Sequence, residues 1–132
     1  MNINLWAVLV AALANFIIGF MMHGPIAGKM WMRLANIVPT GKEKFSDMYG
    51  QMFSNFVANF VFAFVLGQMI AWNGIMSAFT GAFFAFWVWL GFLVTSSSMD
   101  VIWMKQSWKL WMFENFSSLL CVLAMGAILA SW

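Results

Sequence analysis

Every charged side chain of this sequence falls in one of two short blocks, separated and flanked by stretches without a single charge. Lys29, Arg33, Lys42, Glu43, Lys44 and Asp47 form the first block, and Asp100, Lys105, Lys109 and Glu114 the second. Residues 1–28, 48–99 and 115–132 carry none. A bilayer's hydrocarbon core takes about 20 mostly apolar residues per helix. The first stretch therefore supplies one span, Leu5–Met22, and the last another, Asn115–Ser131. The middle stretch is long enough for two, Met52–Ala71 and Ile75–Val94, broken at Trp72-Asn73-Gly74. Asn-Gly has the backbone freedom that a tight turn needs.

The expected fold is all-α integral membrane: a single four-helix transmembrane domain over residues 1–132. Composition agrees, since 64% of residues are hydrophobic and 8% charged, against roughly 25% charged in a soluble domain. That excludes both a soluble globular protein and a disordered chain. A β-barrel fails on pattern, because barrel strands alternate apolar and polar residues and these spans are apolar all round. Leu5–Met22 reads as a retained helix, with no basic residue before it and no small-x-small cleavage site after it.

Four spans put residues 23–51 and 95–111 on one side, with both termini and the Asn73 turn on the other. The first side holds all six Lys and Arg. By the positive-inside rule the basic loops are cytoplasmic and both termini periplasmic. The net charge of +2 thus reflects topology, and no basic patch with interleaved aromatics suggests nucleic acid. Cys121 lies inside the fourth span and offers no disulfide framework.

Within the first loop, Pro25 can open a helix, and Ile26, Met30, Leu34 and Ile37 recur at helical spacing. This reads as a short amphipathic helix in the membrane interface. Residues 101–111 repeat the theme, with Trp103, Trp108 and Trp111 beside Lys105 and Lys109. Residues 39–50 read as a solvent-exposed loop. Matched elements suggest duplication. Gly19-Phe20 precedes Trp31-Met32-Arg33 as Gly91-Phe92 precedes Trp103-Met104-Lys105, and Met-Phe-x-Asn-Phe opens both the second span (52–56) and the fourth (112–116). The halves, 1–72 and 73–132, would be parallel copies of a helix/interfacial-helix/helix unit.

Asn-Leu-Trp-Ala-Val-Leu-Val-Ala-Ala (4–12), Gly-Lys-Met-Trp-Met-Arg-Leu (28–34), Trp-Leu-Gly-Phe (89–92) and Met-Gly-Ala-Ile-Leu-Ala-Ser-Trp (125–132) together resemble a bacterial membrane-protein family, domain of unknown function 1761. The resemblance spans nearly the whole chain. It implies a four-helix inner-membrane protein and brings no established activity. Members of that family often have an acidic-glycine-basic turn after the third helix and a His in the fourth. This chain has Met104-Lys105-Gln106-Ser107 at the turn and no His after His23.

Ala7, Ala11, Asn15 and Gly19 lie four apart on the first helix, and Ser77, Gly81 and Ala85 do so on the third. Small residues at this spacing let membrane helices approach closely. Phe56, Phe60 and Phe64 form a bulky stripe on the second helix. The polar residues are one-sided: Asn15, His23, Asn55, Asn59, Glu114 and Asn115, with Thr95, Ser96, Ser97, Ser98, Ser117 and Ser118, all map toward the cytoplasm. They could line a pocket, or serve as interhelical hydrogen bonds of about 0.6 kcal/mol each. By the duplication, Asn55 and Asn115 should both face the interior. Glu114 should reach the interface or a Lys and favour the helix N-terminus, and His23 should cap the next helix or anchor in the headgroups. Asn55→Leu or Asn59→Leu is then expected to weaken folding more than Glu114→Gln.

Catalytic motifs are absent from the sequence: no phosphate-binding Gly loop, paired His or nucleophile-base set. A metal or haem needs more ligands than one His and one Cys provide, so no cofactor is expected. Two function classes remain, and the first of them leads, because a transporter usually needs a discontinuous helix or a charged group near the midplane and the sequence shows neither. One is a structural or accessory membrane protein, self-associating or docked to a larger complex. The other is an oligomeric small-solute or ion transporter with a cytoplasm-facing polar pocket.

Overall fold

The computed structural model describes residues 4–36 and 49–132. The loop expected at 39–50 lies, as far as residue 48, outside the described residues, together with Lys42, Glu43, Lys44 and Asp47. Four helices are long and apolar enough to cross a membrane, and the described residues contain no strand.

Helix α1, Leu5–Met22, has the bounds expected from its uncharged run. Asn4 opens it, its side chain accepting the Trp6 backbone N–H. A turn follows, and α2 covers only Gly28–Leu34. Pro25 sits in that turn rather than in the first turn of α2, as the sequence had suggested, because α2 does not begin until Gly28. Helix α3, Tyr49–Trp72, ends at Asn73-Gly74, where Gly74 takes φ +65°. L side chains disfavour this left-handed conformation and glycine does not, so the expected turn is met.

The third span differs most from expectation. Helix α4, Ala78–Val88, passes into a π-helical segment, Trp89–Val94, and continues as α5, Thr95–Ile102. Together they form a 25-residue helix, so Thr95 to Ser98 belong to a helix and not to a loop. Their polarity misled because the hydroxyls bond back along their own helix. Thr95 Oγ1 donates to the Gly91 carbonyl at 2.7 Å and Ser98 Oγ to that of Thr95 at 2.6 Å. Residues 101–111 accordingly form no separate interfacial helix. A tight turn with Lys105 at φ 57° leads directly into α6, Trp108–Ser131.

Helix α6 is the centre of the bundle. Its span is 39% buried, against 17% for α3 and for the third span, and it packs on α4, α1 and α3. Helix α4 rests on α6 and scarcely touches α3. Val8, Ala11, Ala12, Ala63, Leu66, Ala85 and Met125 make up the core. Ile70, Val88, Val122 and Ala130 complete it, while large apolar side chains such as Trp6, Phe53, Phe79 and Phe92 face outward, as lipid requires.

Where α4 crosses α6, the packing uses small residues from both. A methyl group on Gly126 would lie 2.5 Å from the Gly81 carbonyl oxygen and 2.6 Å from Ala85 Cβ. One on Gly81 would clash with Ala130 Cβ and the Gly126 carbonyl. Ala7, Ala11, Gly81 and Ala85 are buried as the spacing suggests. Gly19 and Ser77 are not packing residues. Nothing lies within 4 Å of a Cβ built on Gly19. Ser77 caps α4, accepting the Thr80 backbone N–H at 3.2 Å. Its position before the helix, rather than within it, takes it out of the crossing.

Candidate functional site

Helices α1, α3 and α6 separate toward the loop end and enclose a cavity of about 360 Å³, open on one side. Asn15, Phe16, Gly19, Phe20 and His23 line it from α1 and its end, Met52, Asn55 and Asn59 from α3, and Glu114, Ser117, Ser118 and Cys121 from α6. Helical periodicity accounts for this grouping: Asn15, Gly19 and His23 are spaced by four, as are Asn55 and Asn59, and as are Glu114 and Ser118. Five of the six expected cluster residues thus meet at one cavity.

At its mouth Glu114 ties three elements together. Its Oε2 lies 3.0 Å from Nε2 of His23, and its Oε1 accepts the Trp31 indole N–H at 2.9 Å. The other ring nitrogen of His23, Nδ1, donates to the Gly19 carbonyl at 2.9 Å. A carbonyl only accepts, so Nδ1 carries a proton and the Nε2–Oε2 contact must hold another. Trp31 and Phe113 pack edge-on to the imidazole at 4.9 and 5.6 Å. The Glu114 hydrogen bond is the main cause holding the His23 pKa above its ordinary 6.5, opposed by burial and aided by the Gly19 carbonyl. The charged pair is therefore favoured.

These contacts correct two expectations. His23 does not cap α2, whose N-cap is Ala27 without a side-chain hydrogen bond. Glu114 reaches His23 and Trp31 rather than a Lys. It sits in the second turn of α6, beyond the first turn where the helix dipole acts, while Ser107 provides the cap.

Asn115 stands apart. It is buried and faces the third span, its Oδ1 accepting Ser97 Oγ at 3.1 Å and its Nδ2 donating to the Trp111 carbonyl at 2.8 Å. The Trp89 indole N–H bridges the Asn115 carbonyl and Ser118 Oγ, at 3.0 and 2.9 Å. This is a closed packing network. Asn55, by contrast, is exposed at the cavity rim, so the two Asn are not both interior as duplication had suggested.

Deeper in, Asn15 Nδ2 makes a long contact of 3.5 Å to Met125 Sδ, and Cys121 Sγ donates to the Asn15 carbonyl at 3.6 Å. The amides of Asn55 and Asn59 have no protein hydrogen bond among the described residues, which leaves them to face solvent or a ligand. Among the described residues no three His, Cys, Asp or Glu side chains could hold a metal ion together. Sequence reasoning missed Trp31 and gave Cys121 no part in the site. The available signal was that the lone His and the carboxylate nearest a span end map to the same membrane side.

Neither the curated proteins nor the solved structures compared with the chain give a match. One family model does, over residues 6–130, and its span takes in every residue of the cavity. The chain is a multi-pass membrane protein that belongs to the family described as protein of unknown function (DUF1761).

Proposed function

We propose that the protein binds a small uncharged polar solute in the α1–α3–α6 cavity and passes it to or through the membrane. The carrying observation is the cavity itself: about 360 Å³, within the size range of ligand sites, with amides and hydroxyls set among the apolar side chains of Phe16, Phe20 and Met52. Its one ionisable couple at the mouth, His23–Glu114, neutralises itself. A charged solute would have to break that pair or remain uncompensated in a low-dielectric site. A neutral solute need only hydrogen-bond to the side-chain amides of Asn15, Asn55 and Asn59.

We place the mouth in the cytoplasm of a bacterial inner membrane, with both termini periplasmic, on the segregation of Lys and Arg into the two loops at that end. The accessory reading has less support. Its proposed docking faces, Ala7–Ala11 and Gly81–Ala85, are buried within a single chain, which leaves them no surface for a second copy or a larger complex. We read the site as binding rather than catalytic, since the Cys121 thiol faces the Asn15 carbonyl and not a base. For duplication, only the match of Gly19–His23 with Gly91–Thr95 speaks, a side chain four residues on bonding each glycine carbonyl; the missing second interfacial helix and the unlike settings of Asn55 and Asn115 speak against it.

The test is swelling of reconstituted vesicles in iso-osmotic glycerol. Wild-type chain should speed swelling above that of empty vesicles, and Asn59→Leu should lose most of the gain. Equal rates for protein-bearing and empty vesicles would refute passage of a solute of this kind.

A further inference from the structure

The polar cavity does not end at Asn59. A second cavity of about 300 Å³ shares Asn15, Asn59, Ser118 and Cys121 with it, and continues along Phe62, Leu93 and Met125. A third, of about 250 Å³, shares Phe62 and is bounded by Val65, Leu66, Met69, Val88 and Phe92. No polar side chain lines this last one. It occupies the gap where α3 and α4 scarcely touch, and Val65 and Phe92 are exposed there, at 49% and 65%. The three cavities thus follow one another from a chamber with hydrogen-bonding groups at the loop end to an apolar cleft that opens sideways, midway along two spans, Phe62 lining both of the last two. The π-helical segment forms one wall. It turns Trp89 inward to Ser118 while Leu93 and Phe92 line the path, and π segments recur at functional sites.

From this adjacency of a polar-lined and an apolar cavity we propose that the bound molecule is a single-chain amphiphile with an uncharged hydroxyl or amide head. The head occupies the chamber of Asn15, Asn59 and Ser118, and the tail leaves through the α3–α4 cleft into lipid. This rests on the polar-solute reading and deepens it, glycerol being a head without a tail. Bilayer diacyl lipids fit worse: two tails and a charged head would need a wider cleft and a break in the His23–Glu114 pair.

The experiment uses the full chain in phosphatidylcholine vesicles and a monoacylglycerol carrying a diazirine in mid-tail, with photo-adducts mapped by mass spectrometry. Adducts should concentrate on residues 62–69 and 88–93 and be competed by excess unlabelled monoacylglycerol. Asn59→Leu, which alters the head chamber, and Val65→Trp, which fills the exposed cleft, should each lower them at least about fivefold. Dodecylamine and dodecanoate should compete at least about tenfold more weakly than monoacylglycerol. Labelling that is not competed, or that spreads over all outward faces as a diazirine-bearing phosphatidylcholine does, would mean annular lipid and overturn the proposal. Adducts blocked by a second copy cross-linked through position 65 would overturn it too. Glycerol-driven swelling with no saturable labelling would sink the amphiphile alone, and loss of both would sink the polar-solute reading with it.

Discussion

Glu114 Oε2 and His23 Nε2 meet at 3.0 Å across 91 residues of sequence, joining the end of α1 to the start of α6. Because the bond raises the His23 pKa above 6.5, its contribution is fully present below about pH 6.5. It is lost as pH rises through the elevated folded value. Thermal midpoints in detergent should therefore fall for wild type between about pH 6 and pH 9. Glu114→Gln should flatten that slope, and a slope unchanged by the substitution would contradict the pairing.

The geometry also separates two asparagines that duplication would have made equivalent, Asn115 being buried and Asn55 exposed. Asn115→Leu removes two buried side-chain hydrogen bonds, to Ser97 Oγ and the Trp111 carbonyl, at roughly 0.5–1.5 kcal/mol each, and should cost about 1–3 kcal/mol. Asn55→Leu, at an exposed rim, should stay within about 0.5 kcal/mol. Denaturation midpoints of the two variants compare them directly.

At the α4–α6 crossing, Gly126→Ala drives a methyl group against the Gly81 carbonyl and should cost about 1–3 kcal/mol. Gly19→Ala meets nothing within 4 Å and should be neutral or gain roughly 0.5–1 kcal/mol from a less flexible unfolded chain. Equal effects at the two positions would contradict the crossing.

Lys105 holds φ 57° in the turn before α6, a conformation that costs a side-chain-bearing residue about 1–2 kcal/mol. Lys105→Gly should recover about 1 kcal/mol of that, read as a higher thermal midpoint at constant pH.

The spans were legible because absence of charge over twenty residues has one physical outcome, and α1 matches its expected bounds residue for residue. The end of the third span was not, because Ser and Thr that satisfy their hydroxyls on their own helix look like a loop in sequence. Gly81 and Ala85 signalled close packing, but the matching Gly126 and Ala130 passed unnoticed within an apolar run. Which helices adjoin is a tertiary fact. The periodicities of α1, α3 and α6 place Asn15, Asn59 and Glu114 on faces without saying that those faces meet.

The central claim, a polar chamber open to water at the loop end and reaching Asn59, has a direct measurement. In a Cys121→Ser background, Asn59→Cys and Val61→Cys are exposed in vesicles to an uncharged, sugar-bearing methanethiosulfonate that does not cross the bilayer, added from the loop side. Val61 is 56% exposed on the outward face of the same helix and should stay unreactive in lipid. Asn59→Cys should be modified at least about tenfold faster, and more slowly in the presence of glycerol. Modification of Asn59→Cys no faster than that of Val61→Cys would contradict the account.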